Sequence, residues 1–127
     1  MADEIKTDNK RQPRDLKDRT REFALRIIRL YVALPKTAVA QVIGNQLLRS
    51  GTSVGANYRE AIRGRSRSEY ASKLQLSLME LEETLYWIEL LEVAHIFSTA
   101  KLAALKGEAS ELSAILVTLI NKLKGRR

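Results

Sequence analysis

Residues 67–94 read RSEYASKLQLSLMELEETLYWIELLEVA, and the spacing of apolar residues in this stretch decides the fold class. One apolar series advances in steps of four and three: Leu74, Leu78, Leu81, Leu85 and Ile88. Such steps return to one face of an α-helix at every turn. The series therefore predicts a helix from about Arg67 to Ala94 whose core-facing side carries these five residues.

A second apolar series lies on another face of the same helix. It comprises Leu76, Met79, Tyr86, Leu90 and Val93, with Trp87 beside it. A helix in a simple bundle needs about one apolar sector facing inward, and a surplus of large apolar residues usually marks an interface. We therefore predict that these six residues form the interface of a homo-oligomer. The alternative is a wide core that neighbouring helices cover.

Three further segments have a helical pattern. The core seam predicted for the first is Leu16, Phe23, Ile27, Leu30 and Leu34, with Ala24, Ile28 and Tyr31 lying off it. Pro35 ends this segment, and the next begins near Thr37. The last is capped by Ser98 and carries Leu102, Leu105, Ala109, Leu112, Leu116, Leu119 and Leu123. Because the connections are short, we predict an all-α fold, an antiparallel up-down-up-down four-helix bundle.

The second helix has two interpretations, because residues 50–55 read SGTSVG. Each glycine in a helix interior costs about 1 kcal/mol relative to alanine, which would favour a break. Gly51 and Gly55, however, lie four apart and so on one face, which favours a continuous helix packed closely against a neighbour. Gly64 ends this helix, and Ser66 with Glu69 predicts a capping box for the next one.

The length of 127 residues fits one domain. Residues 1–14 are polar and predict a flexible tail, which leaves residues 15–127 for the bundle. The absence of cysteine excludes disulfides and thiolate nucleophiles and suits a reducing cytosol. Without a signal-peptide pattern or an apolar run long enough to cross a bilayer, the chain is expected to be cytoplasmic and not membrane-bound.

Catalytic and metal-binding patterns are incomplete. Glu92 and His95 match one Glu-x-x-His motif of di-iron bundles, but such a site needs two motifs and His95 is the only histidine. We expect His95 instead to place a cation at a helix C-terminus. Residues 51–55 lack the Gly-Lys-Ser/Thr ending of a phosphate loop, and their hydroxyls have no histidine to activate them. The sequence predicts no cofactor, no metal and no enzymatic activity.

The balance of charge points to an anionic partner. The chain has 22 Lys and Arg against 15 Asp and Glu, a net charge of +7. Because guanidinium groups bind phosphate and aromatic rings such as Tyr58 and Tyr70 stack on bases, we predict RNA or DNA binding without base-specific readout. The residues predicted to bind nucleic acid are Arg49, Arg59, Arg63, Arg65, Arg67 and Lys73. The alternative is that this basic region only keeps the protein in solution and that Tyr58 and Tyr70 are core or interface residues at helical spacing.

Three short motifs connect the sequence with a known family. They are Leu48-Arg49-Ser50 with Ser53-Val54, Ala56-Asn57 and Glu60; Gly64-Arg65-Ser66 with Glu69-Tyr70; and Leu81-Glu82-Glu83-Thr84. In these motifs the chain resembles the four-helix-bundle proteins encoded by intervening sequences of bacterial 23S rRNA genes. That family is similar to the accessory variability proteins of diversity-generating retroelements. The resemblance covers nearly the whole chain after the tail.

The resemblance implies a homopentameric ring of bundles with a positively charged surface. For the retroelement branch it also implies binding of nucleic acid and of a reverse transcriptase. It makes Arg49, Arg63, Arg65 and Arg67 candidate phosphate contacts. From the position of Asn57 in the sequence, we expect it to be a polar structural residue inside the bundle. A second function therefore stays open, an assembly or adaptor module that docks a partner protein such as a reverse transcriptase without itself binding nucleic acid.

Overall fold

The computed structural model describes residues 15–125, and within this range it contains four α-helices and no strand. Helix α1 spans Asp15–Ala33, α2 spans Ala38–Ile62, α3 spans Arg67–Val93 and α4 spans Thr99–Leu123. The all-α four-helix prediction is confirmed, and the short connections are consistent with up-down-up-down topology. The predicted tail, residues 1–14, lies outside the described residues.

The core follows the apolar seams with small shifts at their ends. In α3, Leu74, Leu78, Leu81 and Ile88 are buried as predicted, but Leu85 is only partly buried and Leu91 is fully buried. In α4, Ile120 is buried and the predicted Leu119 and Leu123 are only partly buried. The shift in α4, from Leu119 to Ile120, has the direction expected when a strict repeat of seven drifts around a straight helix of 3.6 residues per turn.

Helix α2 is continuous through residues 50–55, so close packing is the correct interpretation of its glycines. Gly44, Gly51 and Gly55 are buried against α1. A Cβ atom on Gly51 would lie 2.7 Å from Ile27 Cγ1, and one on Gly44 would lie 2.8 Å from Leu34 Cδ1. The glycines therefore set the close approach of the α2 and α1 backbones.

On its other side α2 meets α3 through buried hydroxyl groups. The hydroxyls of Thr84 and Ser50 are hydrogen-bonded at 2.9 Å, and Ser77 Oγ donates to the Val54 carbonyl at 2.7 Å. Asn57, which was expected inside the bundle, is only half-buried, and its amide donates to the Ser53 carbonyl at 3.0 Å. The polar groups inside the bundle are therefore short hydroxyl side chains, because these fit where two helices pack closely.

The start of α3 is capped nearly as predicted. The Glu69 N–H donates to Ser66 Oγ at 3.0 Å, as a capping box requires. The Glu69 carboxylate, however, accepts from the Arg65 N–H at 3.3 Å, one residue before the N-cap. At the start of α4, Ser98 occupies the N-cap position, but its side chain makes no capping hydrogen bond.

His95 ends α3 through its backbone. Its φ of 57° is in the left-handed region, the Ile96 N–H donates to the Leu91 carbonyl at 2.9 Å, and the His95 N–H donates to the Glu92 carbonyl at 3.0 Å. This pair of hydrogen bonds is a Schellman motif with a non-glycine residue at its turn.

None of the helices in residues 15–125 combines the length and the apolar character that crossing a bilayer demands.

Candidate nucleic-acid interface and assembly surfaces

The antiparallel topology gathers basic residues from four chain segments at one end of the bundle. The start of α1, the end of α2, the start of α3 and the end of α4 all lie there. We call this surface the basic end; its residues are Lys17, Arg59, Arg63, Arg65, Arg67, Lys122 and Lys124. Lys17 lines one shallow hollow with Arg59 and Arg63, and Lys124 lines another with Arg67.

Three of the six residues predicted to bind nucleic acid remain available at the basic end. The guanidinium groups of Arg59, Arg63 and Arg65 form no ion pair or hydrogen bond with any other residue in the range 15–125. Arg63 and Arg65 are exposed and Arg59 is half-buried. Their positive charge therefore faces solvent at one end of the molecule.

Arg67 lies at the same end but has a structural role. Its guanidinium donates to the carbonyls of Leu123, at 3.1 Å, and Lys122, at 3.4 Å. These carbonyls belong to the last turn of α4, where the helix dipole favours a cation. Arg67 therefore joins the start of α3 to the end of α4.

Arg49 and Lys73 are ion-paired across the α2–α3 contact. Arg49 Nη1 donates to Glu80 at 3.2 Å, and its Nη2 pairs with Glu83. Lys73 Nζ lies 2.8 Å from the Glu60 carboxylate and, through this hydrogen bond, lowers the pKa of Glu60. Arg49 is also about 21 Å along α2 from Arg63, so the structure does not bring it to the basic end.

Lys17, Lys122 and Lys124 were missed by the sequence reasoning. Each lies far along the chain from the predicted cluster at residues 49–73. The signal that would have found them was the predicted topology itself, because an up-down-up-down bundle brings both chain ends of the domain beside the α2–α3 connection.

The outer face of α3 exposes most of the predicted interface residues. Met79 and Val93 are 55% and 63% exposed, Leu76 and Tyr86 are also exposed, and Trp87 and Leu90 are half-buried. The other helices in residues 15–125 leave four of the six residues on this face exposed, which favours an interface over a wide core. That a second subunit covers it stays a prediction.

A polar cluster lies within this apolar face. Trp87 Nε1 donates to the Glu83 carboxylate at 2.9 Å, and Glu83 also holds Arg49. The rings of Tyr86 and Trp87 pack edge to face with centroids 5.1 Å apart. The hydrogen bond orients Trp87, and the edge-to-face contact places Tyr86 beside it.

A second exposed apolar surface lies on α1. Leu25, Ile28 and Val32 recur at steps of three and four and face away from the core. The sequence reasoning placed Ile28 off the core seam but did not mark Leu25 or Val32. Their spacing was the available signal, and it was hidden by the arginines between them.

Within residues 15–125 no group of three or more His, Asp or Glu side chains is arranged to hold a metal ion. The Glu92 carboxylate, one half of the Glu-x-x-His pair, accepts from Lys106 Nζ at 2.8 Å. This ion pair joins the end of α3 to α4 and gives Glu92 a structural role.

Comparison with models of known protein families shows to which family the chain is related. The model of the 23S rRNA-intervening sequence protein family matches residues 14–118. The chain belongs to this family. Solved structures that resemble it include a crystal structure, at 1.70 Å, of a protein of unknown function from the S23 ribosomal protein family of Bacteroides thetaiotaomicron VPI-5482. The two share 37% sequence identity with a TM-score of 0.81, over 86% of this chain and 97% of that chain.

The relationship extends over all four helices, because the family match begins just before α1 and ends within α4. No curated protein sequence matches the chain. The predicted resemblance to the 23S rRNA intervening-sequence family is therefore confirmed. The predicted relationship to the retroelement accessory proteins stays a prediction.

Proposed function

We propose that this protein is a non-enzymatic homo-oligomer, a pentameric ring, that binds the phosphate backbone of RNA or DNA at its basic end. The observation that carries the proposal is the group of positive charges at Arg59, Arg63 and Arg65, none of which forms an ion pair within residues 15–125. Lys17, from the start of α1, adds a fourth charge in the same hollow as Arg59 and Arg63.

Electrostatics favours a polyanion at this end. An arginine that is already paired with a carboxylate must lose that partner to bind phosphate, whereas Arg63 and Arg65 need only release solvent and counterions. In a ring whose bundle axes are parallel, the basic ends of all subunits face one side. A nucleic acid strand then contacts several subunits at once, which raises the overall affinity.

The test is binding of a labelled 30-nucleotide single-stranded RNA, and of the matching DNA, measured by fluorescence anisotropy at several salt concentrations. The affinity should fall steeply as salt rises, because binding releases condensed counterions. The Arg63→Gln/Arg65→Gln variant should weaken binding by at least tenfold and reduce the salt slope by about 1.4 for each subunit that the strand contacts, because each such subunit loses two phosphate contacts.

The matched control is Lys36→Gln/Lys101→Gln, which removes the same two charges near the opposite end of the bundle. It should leave the salt slope nearly unchanged. If the wild-type protein binds neither strand at 50 mM salt, the nucleic-acid function is wrong, and the adaptor function takes its place.

A further inference from the structure

Two exposed apolar stripes lie on helices at opposite corners of the bundle. The α3 stripe is Leu76, Met79, Tyr86 and Val93 with the half-buried Leu90, and the α1 stripe is Leu25, Ile28 and Val32. Helix α3 packs against α2 and α4, and helix α1 packs mainly against α2 and more lightly against α4. The two stripes therefore point away from each other, and no other described helix covers either one.

The two stripes lie at the same height along the bundle. Gly51 of α2 packs against Ile27 of α1, and the neighbouring Ser50 is hydrogen-bonded to Thr84 of α3. Ile27 and Thr84 therefore lie at the same height along the bundle axis. The α1 stripe, centred on Ile28, is therefore level with the part of the α3 stripe between Met79 and Tyr86.

The charges around the α3 stripe are acidic. From Leu74 to Val93, helix α3 contains five glutamates and no Lys, Arg or His: Glu80, Glu82, Glu83, Glu89 and Glu92. Three of these are paired within the chain, Glu80 and Glu83 with Arg49 and Glu92 with Lys106. Glu82 and Glu89 are exposed and form no ion pair in the described part of the chain.

The charges around the α1 stripe are mostly basic. Arg21 and Arg29 lie four residues on either side of Leu25, on the same outer face. Arg29 forms no ion pair in the range 15–125, and Arg21 lies 3.5 Å from Asp18 in an exposed pair. Such an exposed pair contributes little energy. Glu22 is the other acid on this face.

We propose that the α3 stripe of one subunit packs against the α1 stripe of the next, with Glu82 and Glu89 facing Arg21 and Arg29. This pairing rests on the proposed function, in which the chain is a homo-oligomer. It is a heterologous contact, because each subunit uses α3 toward one neighbour and α1 toward the other. Such contacts close into a ring when the rotation between subunits permits it. The equal height of the stripes favours closure without a step along the axis.

The isologous alternative is a two-fold contact of α3 with α3. It would bring Glu82 and Glu89 of one subunit against the same glutamates of the other, and like charges at an interface are unfavourable. The α1 stripe would also stay uncovered in such a dimer. Charge complementarity therefore selects the heterologous arrangement.

Glu83 is compatible with burial in this contact. It lies within the α3 stripe, four residues after Met79 and three before Tyr86. Its carboxylate already accepts from Trp87 Nε1 and pairs with Arg49 of the same chain. Covering it with a second subunit leaves no unpaired charge, which is the condition for burying an ionised group. A single polar group in an apolar seam also fixes the register of the two helices.

The pairing is tested by reversing charges on one or both faces and measuring mass by size-exclusion chromatography with light scattering. Glu82→Arg/Glu89→Arg and Arg21→Glu/Arg29→Glu should each lower the mass below that of the wild-type assembly. The chain with all four substitutions should recover the wild-type mass, because the charges are again complementary. Circular dichroism checks that each variant retains its helices.

The matched control is Arg63→Glu/Arg65→Glu, which reverses two charges at the basic end and should leave the mass unchanged. If the wild type assembles but Arg21→Glu/Arg29→Glu keeps the full mass, the α1–α3 pairing is wrong while the homo-oligomer stands. If the fourfold variant fails to recover the mass, the pairing is also wrong. A wild-type chain that is monomeric at every concentration overturns both the pairing and the oligomer.

Discussion

Two glycines in helix interiors have opposite surroundings. A Cβ atom on Gly51 would lie 2.7 Å from Ile27, whereas one on Gly107 would have no atom within 4 Å. Gly51→Ala should therefore lower the free energy of unfolding by about 1–3 kcal/mol through overpacking. Gly107→Ala should raise it by about 0.5–1 kcal/mol, because alanine loses less backbone entropy in a helix.

Urea denaturation monitored by circular dichroism measures both changes, with Gly107→Ala as the matched control for Gly51→Ala. A Gly51→Ala protein as stable as the wild type would show that the α1 and α2 backbones do not need to approach this closely.

Tyr58 predicts a loss of stability at alkaline pH. Its side chain is buried, and desolvation, with a smaller contribution from Tyr70, raises its pKa to about 12. The unfolded chain ionises this phenol near its ordinary pKa of about 10, so above that pH the folded state binds more protons than the unfolded state. The free energy of unfolding should therefore fall as pH rises from about 10 to 12.

Urea denaturation at a series of pH values measures this loss, and absorbance at 295 nm follows the phenol. Tyr58→Phe removes the ionising group and should show a smaller loss across the same range. An equal loss in both proteins would assign the alkaline sensitivity to other groups, such as the lysines.

At the scale of the element, the two faces of α3 respond differently to the same substitution. Leu81 is fully buried in the core and Met79 is 55% exposed. Leu81→Lys places a charge in the core without a partner and should unfold the bundle. Met79→Lys should leave the helices intact and lower the mass of the assembly. It adds a positive charge to the α3 stripe, which is proposed to face the α1 stripe and its Arg21 and Arg29.

Circular dichroism and light scattering on the two variants separate these outcomes. Equal loss of helicity in both would show that α3 does not have one core face and one interface face.

The short helix connections make the basic residues of different elements converge. Arg49 lies within α2 and Arg63 directly follows it, yet only Arg63 lies at the basic end, because α2 separates the two residues by about 21 Å. Proximity in sequence was therefore a poor guide to proximity in space. The assignments of Arg67 and Arg49 to phosphate contacts were made without their partners, which belong to other helices.

At the scale of the whole molecule, a homo-oligomer should have a thermal stability that increases with protein concentration. Association stabilises the folded chain by mass action, since subunits bind the native state and not the unfolded state. The Tm of the wild type should rise as its concentration is increased. The Tm of Met79→Lys should stay nearly constant over the same range of concentrations.

Differential scanning calorimetry over a hundredfold range of concentration makes this comparison. A wild-type Tm that does not change would contradict a homo-oligomer coupled to folding, whatever the nucleic-acid binding shows.

The sequence by itself determined the four helices, the core seams and the surplus apolar face of α3, because these depend on spacing within one helix. Tertiary structure decided which charges are available and which surfaces remain uncovered. Arg49 is paired because α3 brings Glu80 and Glu83 beside it, and Lys17 joins Arg63 because α1 runs antiparallel to α2. That the α3 stripe and the α1 stripe both remain uncovered was decided by the packing of the four helices. Contacts between distant parts of a chain depend on how the helices are arranged, and no local pattern encodes them.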